Sequence, residues 1–262
     1  MNTKYPILLV HGLGMKDTFF MKSFGKIDRI LKIQGYTVIK SRIDGFGSVT
    51  SNATQLRDEI ERLLIEHRAE KVNIIAHSKG GLDTKYMLDK LDMEDKVASF
   101  TSICVPHAGS PIASLFLKVP GFLLRYAAFF VNLFYRILGD KHPDAIAACE
   151  DLKRVPRIEE EAVAGGGKVF CQSFSSTLRD NEKYTDFIMG VPATFSRLME
   201  KHAATDGLVP RDSAIYGVYR GDCIDGSVSH TEIVDFMVPD KRRDRIYAFY
   251  SSLCEELVKM GM

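Results

Sequence analysis

Residues 72–81 read VNIIAHSKGG, an apolar run that stops at a serine, with Ala76 two positions before it and Gly80 two positions after. Small residues at these positions permit a reversal from strand to helix within about two residues, where larger side chains would collide. Such a turn lifts the serine hydroxyl above a sheet. It also aims the N–H of the next residue, Lys79, from a helix N-terminus at any negative charge that develops nearby. The chemistry this suits is nucleophilic: Ser78 attacks a carbonyl carbon and the Lys79 N–H holds the oxyanion. A serine that merely caps a helix shares the local pattern, but the strand before, the helix after and the pair Gly80-Gly81 favour the nucleophile. A second oxyanion donor is offered by LLVHGLG (8–14). There an apolar strand runs into His11-Gly12, the next N–H belongs to Leu13, and glycines at 12 and 14 let the backbone approach a substrate.

A serine hydroxyl is a weak nucleophile near neutral pH and needs a base, for which histidine is best matched. Seven histidines are available. His11 and His77 sit inside the two turns just described, His67 ends a surface-type helix, and His142 precedes a proline. His107, His202 and His230 lie in VPHAGSP, EKHAATDG and GSVSHTEIV. Candidate acids to orient the base are Asp180, Asp186, Asp206, Asp212, Asp222 and Asp225, all of which also suit turns.

The elements that must position these groups alternate along the chain. Strand-like runs are expected at 5–10, 36–41, 72–77, 97–105 and 168–174, with 213–219 strand or loop. Helical spacing marks 17–33, 51–67, 79–91 and 241–258. Alternation at this interval predicts an α/β fold with a mostly parallel central sheet flanked by helices. Ligands then bind at the carboxyl ends of the strands, where Ser78 falls. The 262 residues, 45% of them apolar, suffice for one domain spanning 1–262. Thirty-five basic against 34 acidic residues give no electrostatic case for nucleic acid. Five dispersed cysteines show no metal spacing; reduced, buried thiols are expected, with one bridge left open.

Taken in order, PILLVHGLG, AHSKGG, SICVPHAGSP and TDGLVP resemble the α/β-hydrolase fold, and more closely the bacterial triacylglycerol lipases. The resemblance runs from about residue 5 to 235. It implies that Asp206, in ATDGLVP, is the acid. The order serine, acid, histidine of this fold then places the base at His230, after the last strand and before the final helix. The expected site is catalytic Ser78, Asp206 and His230 with Leu13 and Lys79 as oxyanion donors. The implied function is hydrolysis of acylglycerols or similar apolar acyl esters through an acyl-enzyme. An acyltransferase or thioesterase would use the same triad, and a non-catalytic lipid-binding hydrolase fold is a third reading, against which the complete triad speaks. Related lipases often hold calcium beside the histidine loop. Glu232 and, by rough spacing, Asp186 could match two ligands, but Phe236 stands where some relatives have glutamine. No cofactor or metal is therefore assigned, and calcium stays open.

VPGFLLRYAAFFVNLFYRIL (119–138) is apolar nearly all round. It is long enough to cross a membrane, but its two arginines and its place within the hydrolase order argue against that; of a buried core helix and a helical lid inserted at 117–141, the lid is the expectation. Phe122, Phe129, Phe130 and Phe134 are expected to bind the acyl chain, and the partner to be a lipid or apolar ester, with contact at a lipid–water interface. No signal peptide opens the sequence, so the expectation is a cytoplasmic protein, or a secreted one whose leader has been removed.

Overall fold

Six short strands pair side by side. They are β1 (Ile7–Val10), β2 (Val38–Lys40), β3 (Val72–His77), β4 (Val97–Ile103), β5 (Phe170–Ser175) and β6 (Val218–Asp222). The central β1 and β3 are buried along their whole length. All pairings are parallel and the spatial order is β2-β1-β3-β4-β5-β6. The structure, a computed structural model, describes residues 2–19, 21–153, 167–178, 204–238 and 240–262. Parallel strands need crossovers, and helices supply them: α1 (Ile27–Ile33), α2 (Val49–Glu66), α3 (Lys79–Lys90), α4 (Pro111–Phe116), α5 (Gly121–Ile137) and α6 (Ala145–Glu150), while α7 (Asp240–Lys259) follows the last strand.

Two apolar cores cover the two sheet faces. On one, Ile7, Leu9 and Ile75 pack with Phe24, Ile27 and Leu31 near α1 and with Ile246, Tyr250 and Leu253 of α7. On the other, Leu8, Val10 and Ile74 pack with Leu56, Ile60 and Met87 of α2 and α3. Alternate residues of β1 and β3 thus serve opposite cores, as the period-2 pleat requires.

The strand order reverses direction at β1, whose neighbours are β2 on one side and β3 on the other. Val10 of β1 is in register with Ala76 of β3. The loops leaving these two strands therefore emerge side by side, at the place where open α/β sheets bind ligands.

Three elements differ from expectation. The helix foreseen over 17–33 begins only at Ile27. The Asp17 carboxylate instead accepts the N–H and hydroxyl of Ser23, and Gly25 adopts φ +45°; Phe20 lies outside the described residues. The ambiguous 213–219 resolves into a 3₁₀ turn (Arg211–Ala214) followed by β6. Gly217 joins them at φ +56°, where a side chain would meet the carbonyl of Cys171 at 2.5 Å. In the insert, α4 and α5 are separate helices broken before Pro120.

α5 is fastened by its polar groups. Tyr135 donates its hydroxyl to the carbonyl of Gly14 at 2.6 Å and packs edge-on against Phe46, while Asn132 caps α6 through the Ala145 N–H. Just beyond it, Asp140 pairs with Lys16 and accepts the Phe46 N–H. No helix among the described residues is long and apolar enough to cross a membrane.

Candidate active site

Ser78 sits between β3 and α3 with φ +52° and ψ −134°, a conformation that costs a non-glycine residue free energy and persists only where its surroundings enforce it. Here Ser78 donates its N–H to Ile103 of β4, and its carbonyl accepts from Gly81. The glycine at 80 is a steric requirement: a Cβ there would lie 2.3 Å from the carbonyl oxygen of His11 and 2.9 Å from that of Val10. The turn is thus wedged against the end of β1. Gly12 closes from the other side, where a Cβ would meet that of Ser78 at 2.7 Å. Ala76 is fully buried in the core shared with Val10 and Ile43.

The hydroxyl of Ser78 lies 2.9 Å from Nε2 of His230, and Nδ1 of His230 lies 2.7 Å from Oδ2 of Asp206. With Nδ1 donating to the carboxylate, Nε2 is left bare to accept the serine proton. Asp206 is held in turn. Its Oδ1 accepts the N–H groups of Leu208 and Val209 at 2.9 and 2.8 Å, and its carbonyl accepts the His230 N–H. All three side chains are buried. The structure therefore brings Ser78, His230 and Asp206 into one chain of hydrogen bonds.

The N–H groups of Gly14 and Gly81 are both bonded within the loops. Those of Leu13 and Lys79 have no acceptor among the described residues. Lys79 follows Ser78 in the chain and Leu13 lines the same cavity, so these two N–H groups are the candidate oxyanion donors. The side chain of Lys79 takes no part there. It is buried and ion-paired to Asp83 at 2.6 Å, while Asn52 donates to the other oxygen of Asp83. Burial pushes the Asp83 carboxyl up to about 6 despite the lysine.

The remaining histidines have other partners. Nε2 of His77 donates to the carbonyl of His230 at 3.0 Å, and the two rings lie 4.6 Å apart. Burial, helped by the neighbouring His230, pushes the His77 pKa well down, so it stays a neutral donor. Burial likewise lowers that of His11, whose Nδ1 faces the carbonyl of Gly12. His107 stacks on Tyr216, 4.4 Å between ring centres. His67 and His142 are exposed; His202, Asp180 and Asp186 lie outside the described residues.

A cavity of about 370 Å³ opens over Ser78 and His230, lined mainly by apolar side chains that include Leu13, Phe46, Phe116, Leu152, Val209 and Val234. Its size and lining suit a small apolar ligand. Phe122, Phe129, Phe130 and Phe134 do not line it. They are 73, 61, 49 and 56% exposed, because Tyr135 and Asn132 turn the opposite face of α5 inward. These four therefore stand apart from the cavity, whose apolar wall comes from α4, α6 and the loops around them.

Cys104 carries no motif and was not foreseen as a neighbour of the site. It is fully buried at φ +52°, and its Sγ lies within 4.8 Å of ligand atoms of both Asp206 and His230. As a metal site this trio fits poorly. Burial holds the thiol well above its usual pKa, and the nitrogen and oxygen facing each other are spent on one hydrogen bond. Nor does the calcium position fit a cation among the described residues. The Glu232 carboxylate already accepts the guanidinium of Arg242 at 3.0 Å and the Ser229 N–H at 2.9 Å, both on Oε2.

A doubly wound parallel sheet, a strained serine between strand and helix, and a histidine and aspartate following in chain order define an α/β hydrolase fold. Solved structures agree: the mature Bacillus licheniformis lipase BlEst2 superposes with TM-score 0.66 at 17% identity, covering 96% of this chain and 92% of that one. The metagenomic carboxyl esterase MGS0156 gives 0.70 at 20% identity, covering 97% and 76%. By sequence the chain resembles bacterial triacylglycerol lipases. That of Pseudarthrobacter phenanthrenivorans is 33% identical over 163 residues, 57% of this chain and 50% of that protein. That of Vibrio cholerae serotype O1 is 40% identical over 114 residues, 43% and 36% respectively. Residues 49–119 match the family described as lecithin:cholesterol acyltransferase. The matched segments span about half or less of these curated relatives' lengths.

Proposed function

We propose that this chain is a serine carboxylic ester hydrolase acting on apolar acyl esters. The observation that carries the reading is the hydrogen-bonded chain Ser78–His230–Asp206 at the floor of an apolar cavity. Ser78 Oγ attacks the ester carbonyl carbon as its proton passes to Nε2 of His230. Asp206 holds the ring and stabilises the imidazolium that forms. The N–H groups of Leu13 and Lys79 receive the oxyanion. On collapse, the imidazolium gives its proton to the departing alkoxide, leaving the acyl group on Ser78. Water, deprotonated by His230, then attacks the acyl-enzyme and frees the acid.

The triacylglycerol lipases it resembles and the scarcity of polar groups on the cavity wall support apolar acyl chains over polar acids. The test is hydrolysis of p-nitrophenyl esters of increasing chain length by the wild type and by Ser78→Ala. A wild-type rate that Ser78→Ala lowers at least about 10³-fold agrees with the proposal. Equal rates, or none from either protein, refute it.

A further inference from the structure

Among the described residues, nothing covers the outward face of α5. Phe122, Leu123, Tyr126, Phe129, Phe130, Leu133, Phe134 and Ile137 are all exposed, between 47 and 76%. At 3.6 residues per turn they fall within about 140° of the helix circumference. Leu115, Phe116 and Val119 extend the patch to the cavity, since Phe116 both lines the cavity and is 47% exposed. Contiguous apolar surface of this kind marks an interaction site.

The charge around the patch points to the occupant. From Val97 to Gly139 the sequence carries no acidic residue, while Lys118, Arg125 and Arg136 lie in it. All three are exposed, and none has an ion-pair partner among the described residues. Helical geometry puts Arg125 and Arg136 about 20° apart, on one flank of the apolar face. An apolar face edged by unpaired cations is how a helix lies in the headgroup layer of a membrane. A second copy of the chain would offer the same acid-free face, with no counter-charge for these cations. The helix is also held in place, because Tyr135 ties it to Gly14, next to the Leu13 oxyanion donor.

We propose that α5 is a fixed docking surface for an anionic phospholipid bilayer. The apolar face enters the acyl boundary, the three cations meet phosphate headgroups, and the cavity mouth is set against the membrane. This surface does not depend on the reaction proposed above, so binding is measured on full-length Ser78→Ala. The vesicles are phosphatidylcholine alone, or phosphatidylcholine mixed with phosphatidylglycerol.

Expected are flotation with the anionic vesicles at least about tenfold stronger than with neutral ones, and weakening by salt. Arg125→Glu/Arg136→Glu should abolish the anionic preference, and Phe129→Ser/Phe130→Ser should lower binding to both vesicles about tenfold or more. Circular dichroism checks that the variants fold. In the Ser78 background, they should hydrolyse short soluble esters within about twofold of wild type, because none of the substituted side chains lines the cavity. No vesicle binding, or binding indifferent to both double variants, overturns the proposal. So does light scattering that finds a wild-type dimer which Phe129→Ser/Phe130→Ser dissolves.

Discussion

The guanidinium of Arg242, on α7, donates to the buried carboxylate of Glu232 at 3.0 Å, two residues beyond His230. The same carboxylate oxygen accepts the N–H of Ser229, whose hydroxyl accepts the N–H of Glu232 in return. This reciprocal box pins the turn that carries His230, and Arg242 supplies its positive charge while also donating to the Ser227 carbonyl.

Removing the guanidinium with Arg242→Met therefore takes a charge-paired donor from a buried carboxylate, at a cost of roughly 3 kcal/mol. Thermal unfolding should occur at lower temperature and kcat should fall, with Arg242→Lys recovering part of both. Because a side chain fills the cationic role, excess EDTA should change neither rate nor melting temperature. A loss on chelation that calcium restores would contradict this arrangement.

Asp206 invites a sharper substitution. In Asp206→Asn the remaining oxygen can keep the N–H bonds of Leu208 and Val209. The amide nitrogen, however, would face Nδ1 of His230 and favour the tautomer protonated on Nε2. The base is then blocked at the atom that must accept the Ser78 proton. The fold should survive while kcat on a p-nitrophenyl ester drops about 10⁴-fold. A variant within tenfold of wild type would remove Asp206 from the mechanism.

Gly80 and Gly12 are both crowded, with different consequences. A methyl at position 80 meets the carbonyl oxygens of His11 and of Val10, the last residue of β1, at 2.3 and 2.9 Å. Backbone there cannot give way without disturbing β1, so Gly80→Ala should destabilise the fold by about 2 kcal/mol or more in urea titration. A methyl at position 12 meets the Cβ and Oγ of Ser78, at 2.7 and 3.2 Å. Gly12→Ala should instead displace the nucleophile and lower kcat about 10²-fold, with a smaller loss of stability. Equal melting of wild type and Gly80→Ala would show that the elbow is not wedged as described.

These cases show what a one-dimensional reading can reach. Ser78, Leu13 and Lys79 belong to short turns whose geometry is written locally in glycines and a strand end, and the parallel sheet follows from alternating apolar periods. The orientation of α5 was not legible. Its sequence is apolar on nearly every side, so hydrophobicity did not decide which face turns inward. Tyr135 and Asn132 decided it, through partners at Gly14 and Ala145. The cavity wall was hidden for a related reason: Phe46, Phe116 and Leu152 come from separate segments and share no spacing. The missing first turns before α1 trace to Asp17, whose side chain bonds the backbone of Ser23 in a loop. Cys104 gave no signal because its closeness to Asp206 and His230 exists only once β4 and the two loops meet.

The buried pair Lys79–Asp83 anchors the helix behind the nucleophile, and it carries a pH signature. Burial raises the Asp83 carboxyl from 3.8 to about 6 in the folded protein, against the pull of Lys79 and Asn52. A folded-state pKa above the unfolded one means that the native state holds this proton more tightly. The stability so contributed is full below about pH 4 and is lost as pH rises through 6. The loss over that window is on the order of 3 kcal/mol from this group. Asp83→Asn cannot titrate, so its stability relative to wild type should improve between pH 4 and 6 and then level off. Paired urea titrations at steps across that range measure the difference. A difference that is flat, or that moves the other way, would show that Asp83 is already ionised in the native state at pH 4.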